Sequence, residues 1–73
     1  MRPLKGREVI RAFERAGFTV VRSSGSHTIM KKAGQLGTLS IPIHGGRDFK
    51  LGTLKGLIRT SGLTEEQFWD FAG

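Results

Sequence analysis

His27 and His44 are the only side chains in this 73-residue sequence whose ordinary pKa lies near neutrality. His27 follows Gly25-Ser26 in a turn-forming run that begins at Ser23, a place where an imidazole reaches solvent. A positioned imidazole contributes roughly 10²- to 10⁴-fold to proton-transfer steps. That is enough for slow phosphodiester cleavage in which an RNA 2′-hydroxyl attacks its own phosphate. Taken alone, a single histidine is more often an ordinary surface or hydrogen-bonding residue. His44, directly after the apolar Ile43, carries that plainer reading more heavily.

Other chemistries lack their residues. With no cysteine there is no disulfide framework, no CxxC redox pair and no thiolate zinc site. Zinc needs three or four ligands at suitable spacing, and a two-metal nuclease needs clustered carboxylates. Asp48 is the only acid in the turn-rich middle of the chain. A Ser-His-Asp set could be drawn from Ser24 or Ser26 with His44 and Asp48, but no G-x-S-x-G elbow supports it. Neither a metal nor a cofactor is expected.

The charge points to a polyanion. Twelve Lys and Arg stand against six Asp and Glu, for a net +6. All twelve basic residues lie between Arg2 and Arg59 with three acids, so that segment carries +9. From Thr60 onward three acids and no base leave −3, which suggests a segment turned away from the anionic partner. No apolar stretch approaches the ~20 residues of a membrane span. Met1-Arg2-Pro3-Leu4-Lys5 opens without an apolar run, so no secretory leader is expected and the protein is placed in the cytoplasm.

The elements that must carry these groups follow from periodicity. Val9, Ile10, Ala12, Phe13 and Ala16 form one helical stripe within residues 7–16, stopped by Gly17. Arg7, Arg11 and Arg15 make a ridge on the other face; such spacing is commonly just a solvated face, and Glu14 partly neutralises it. Residues 18–22 and 27–32 read as strands joined by the turn. Residues 38–43 alternate strictly, with Pro42 marking an edge or an end. Leu51, Leu54, Leu57 and Ile58 share a second helical face closed by Gly62. The free N–H groups at the start of that helix make an anion site that Lys50 and Lys55 would reinforce. Thr64 and Gln67 have the form of a capping box opening a short last helix with Phe68, Trp69 and Phe71. One α+β domain over residues 1–73, with helices on one face of an antiparallel meander, is expected.

Gly25-Ser26-His27, then Ile41-Pro42-Ile43-His44, then residues 52–59 (GTLKGLIR) resemble the HicA (YcfA-like) toxin family in order and spacing. Residues 8–18 resemble that family's first helix and its exit, so the likeness runs from about Gly6 to Gly62. It implies an α-β-β-β-α fold related to double-stranded RNA-binding domains, here with a short extra C-terminal helix. It also implies an mRNA-cleaving, translation-blocking toxin that works without a metal. The family's active histidine maps onto His27, and a HicB-type antitoxin would mask that region. Ser26, Lys31, Arg47, Lys50, Lys55, Arg7 and Arg11 are then the expected RNA contacts. His44, Lys31 and Arg47 all stay open as the second catalytic contact. The alternatives are a non-catalytic RNA- or DNA-binding module of the same fold, and an adaptor acting through protein contacts.

Overall fold

A computed structural model describes residues 2–43 and 45–73, so what was expected of His44 lies outside the described residues. The chain runs α1 (Gly6–Arg15), β1 (Thr19–Ser23), β2 (His27–Lys31), β3 (Leu39–Pro42), α2 (Leu51–Ser61) and α3 (Glu65–Ala72). The strands form one antiparallel sheet in the order β1-β2-β3. This is the expected α+β arrangement with its extra terminal helix. Among the described residues no helix is long and apolar enough to cross a membrane.

Side-chain alternation along the strands decides what the sheet shows on each face. Thr28 and Met30 of β2 and Leu39 and Ile41 of β3 are buried, and α1 and α2 cover that side. His27, Ile29 and Lys31 point to the other, open face. A bulge in β1 shifts its register: Val20 pairs with Met30 but Arg22 pairs with Ile29, leaving Val21 without a partner on β2. Arg22 therefore joins Ile29 on the open face. β1 is exposed along its whole length.

Local signals account for the ends of the elements. Gly17 follows α1 with φ 105°, and Gly62 ends α2 with φ 83°, conformations that only glycine adopts without strain. β3 stops at Pro42, which has no N–H to extend the ladder. At the start of α3 the Thr64 hydroxyl accepts the Gln67 N–H at 3.0 Å, and the Gln67 side chain accepts the Thr64 N–H at 2.9 Å.

The core is centred on Phe13, Phe68, Leu4, Met30, Leu39, Ile41 and Val9, all fully buried. Phe68 brings α3 onto α1, its ring 5.1 Å from that of Phe13. Two guanidinium groups then hold the far end of α3. Arg15 Nη1 donates to the Phe71 carbonyl at 2.9 Å, and Arg2 Nη2 donates to that of Ala72 at 3.2 Å. Cations at carbonyls left open by a helix C-terminus are favourably placed. The N-terminal segment is fastened as well: Phe49 N–H donates to the Leu4 carbonyl at 2.6 Å, and Lys5 pairs with Asp48 at 2.8 Å.

Candidate functional site

The turn between β1 and β2 is pinned from both sides. Ser24 N–H donates to the His27 carbonyl at 2.8 Å, and the Ser24 hydroxyl accepts the His27 N–H at 3.2 Å. Ile43 N–H donates to the Ser26 carbonyl at 2.8 Å, which fastens the turn to the end of β3. The His27 ring is exposed, with the Ser26 hydroxyl 3.2 Å from Nδ1. Among the described residues Nε2, the other ring nitrogen, has no hydrogen-bond partner. When the hydroxyl donates to Nδ1, the neutral ring carries its proton on Nε2.

Beside this turn lies an open cleft of about 500 Å³. One wall is a stripe of α1, namely Arg7, Ile10, Arg11 and Glu14, spaced so that they share a helical face. The facing wall is Ser23, Ser24 and Gly25, with Thr28 behind them. Ile43, Gly45, Gly46 and Lys5 close the end. Thr28 is buried and its hydroxyl lies 3.3 Å from that of Ser23, so both polar groups are satisfied at the cleft wall. A Cβ placed on Gly25 would meet no atom within 4 Å, so packing does not require glycine there. Gly25 itself lines the cleft, two residues before His27.

The expected contacts divide into groups. Arg7 and Arg11 line the cleft together with the residues just before Ser26 and His27. Arg15, the third member of the ridge, is turned to the C-terminus of α3 instead. Lys31 shares the open sheet face with His27, four residues along β2 and so about 13 Å away. Arg47 is exposed in the loop beside the Lys5–Asp48 pair. Lys50, at the start of α2, lines a small hollow with Pro42, and Pro42 is the β3 partner of His27. Lys55 belongs elsewhere: with Arg59, Leu63 and Glu65 it lines a hollow between α2 and the beginning of α3. Asp48 is held by Lys5, and among the described residues no three His, Asp or Glu side chains cluster.

Sequence reasoning did not assign Lys5, Ser23, Thr28 or Glu14 to a site, and considered Ser24 only for a Ser-His-Asp set that no motif supports. For Glu14 a signal was present, since positions 7, 10, 11 and 14 recur on one side of a helix. What the spacing could not show is which element that side faces.

One acid is electrostatically committed to the fold. Glu8 accepts the Lys5 N–H at 2.8 Å and pairs with Arg2 at 3.3 Å. The backbone hydrogen bond first, and Arg2 second, hold its carboxyl below the ordinary glutamate range. Glu8 thus secures the start of α1.

The family described as HicA toxin of bacterial toxin-antitoxin matches residues 6–63. This span takes in α1, the three strands and α2. The chain belongs to the HicA toxin family. No curated protein gives a match. A HicA-family chain is a toxin that works within a toxin-antitoxin system, so its partnership with an antitoxin follows from the family. The matched span contains the pinned turn, His27 and every cleft-lining residue except Lys5, which immediately precedes it. It ends before α3.

Proposed function

We propose that this HicA-family toxin is a metal-independent RNA endonuclease that cleaves mRNA, with His27 as its proton-transfer group. The observation that carries the reading is the exposed His27 ring on a doubly pinned turn, whose preceding residues Ser23, Ser24 and Gly25 line a cleft together with Arg7 and Arg11. In the reaction the 2′-oxygen attacks the adjacent phosphorus and the P–O5′ bond breaks. A 2′,3′-cyclic phosphate and a free 5′-hydroxyl result. Nε2 of His27 takes the 2′-hydroxyl proton or gives one to the departing 5′-oxygen. Arg7 and Arg11 in the cleft, with Lys31 at the far end of β2, Arg47 in the loop and Lys50 at the start of α2, hold phosphates and position the strand without reading its bases. mRNA as substrate places the toxin in the cytoplasm. A HicB-type antitoxin silences it by covering the turn and its His27 ring.

The test is cleavage of RNA by purified protein in excess EDTA, with His27→Ala alongside. The parent is expected to cut, and the variant to lose cutting while keeping its thermal melt and its RNA affinity. Cleavage retained in the variant removes the role of His27. RNA binding without cleavage by the parent makes the protein a non-catalytic module of this fold.

A further inference from the structure

Glu14 is out of place in a cleft built to receive a polyanion. It stands on the same stripe as Arg7 and Arg11, and among the described residues no hydrogen bond or ion pair engages its carboxylate. A carboxylate facing phosphates weakens binding by like-charge repulsion, unless it meets hydrogen-bond donors that compensate. Single-stranded RNA carries such donors on its bases, and recognition of splayed-out bases uses their Watson–Crick edges.

We propose that this cleft holds the nucleotide beside the scissile phosphate and that Glu14 makes guanine the preferred base there. The proposal rests on the reading of the chain as an RNA endonuclease and adds the base selected at its site. Of the four bases, guanine alone places two donors, N1–H and the N2 amino group, side by side. One carboxylate accepts both. Adenine and cytosine each offer a single amino donor next to an acceptor nitrogen, which repels the second carboxylate oxygen. Uracil offers one N–H between two carbonyl oxygens.

The rest of the cleft suits this occupant. Its volume of about 500 Å³ lies in the range of small-ligand sites. Ile10 and Ile43 are half-buried and give the flat base an apolar surface to lie on. Arg11 precedes Glu14 by three residues and Arg7 lies one turn further back, so phosphate contacts and base contact follow one another along the helix. Gly25 lines the cleft, and Ser26 and His27 are the next two residues of the chain.

Binding of short 2′-O-methyl oligonucleotides, which cannot be cleaved, tests the proposal separately from catalysis. The set differs at one position only: guanine, hypoxanthine, adenine, cytosine or uracil. The parent is expected to favour guanine over adenine by roughly ten- to hundredfold. Hypoxanthine, which keeps N1–H and lacks the amino group, should fall between them. Glu14→Gln and Glu14→Ala should collapse the guanine-to-adenine ratio toward one, and Glu14→Ala should tighten the adenine oligonucleotide as the repulsion is removed. A merely structural role would weaken all five together. Equal affinity of the parent for all five bases overturns the guanine assignment and leaves the endonuclease reading standing, as does a guanine preference that survives in both variants. Failure of the parent to bind any of them overturns both.

Discussion

The Ser26 hydroxyl lies 3.2 Å from Nδ1 of the adjoining His27, so the residue that closes the turn also orients the ring. This links a backbone feature to a chemical one. The turn is held by Ser24 and Ile43, and the ring is held by the turn. Ser26→Ala is expected to leave the thermal melt in place and to lower cleavage by a factor of roughly 2 to 12, the worth of one ordinary hydrogen bond. Single-turnover cleavage rates measure it. A rate equal to the parent's would show that the ring needs no such anchor.

Arg7 and Arg11 face the cleft, whereas Arg15 is occupied by the Phe71 carbonyl. Removing a phosphate contact lowers the salt dependence of single-strand binding by about 0.7 in the log–log slope. Arg7→Ala and Arg11→Ala should each show that drop. Arg15→Ala should keep the parent's slope and instead lose about 0.3–1 kcal/mol of stability, the worth of a cation at a helix C-terminus. Binding titrations from low to high salt, paired with thermal melts, separate the two behaviours.

Phe68 is fully buried against Phe13 and fixes α3 to the body. Phe68→Ala is expected to cost about 3–5 kcal/mol. For a domain of 73 residues that is most of a typical margin. The variant should be largely unfolded by far-UV circular dichroism at 37 °C, although α3 lies outside the matched family span.

Glu8 has its carboxyl held below the ordinary range by the Lys5 N–H and by Arg2. A carboxyl depressed in the folded state stabilises the fold above its unfolded pKa of about 4.3. That contribution is lost as pH falls through the lower folded value. Glu8→Gln should therefore lower the melting temperature at neutral pH and flatten its decline on the acid side. Melts taken from pH 7 down to pH 2 test this, and an unchanged acid limb would show that Glu8 contributes nothing.

Much of the fold was legible in the sequence because its signals act over a few residues. Thr64 and Gln67 announced the start of α3, and Gly17 and Gly62 marked where α1 and α2 stop. Pro42 marked the end of β3, and strict alternation in residues 38–43 identified the strand itself. The edges moved by a residue or so. Phe18, read as the first residue of β1, instead drops into the core just before it, its ring 5.7 Å from that of Phe13. Two aromatic rings meeting across a helix exit are a packing event, which β-propensity does not register.

The amino-acid sequence by itself determined the elements, the separation of a basic body from an acidic tail, and the scarcity of residues able to move a proton. Those properties depend on composition and on contacts between near neighbours in the chain. Only the tertiary structure decided that Arg7 and Arg11 share a cleft with Glu14 while Arg15 grips α3. It also put His27 and Lys31 on the open sheet face and left Lys55 beside α3. Each of these depends on register and packing between segments far apart in sequence. A bulge at Val21 or the docking of Phe68 reassigns whole faces without changing a single local signal.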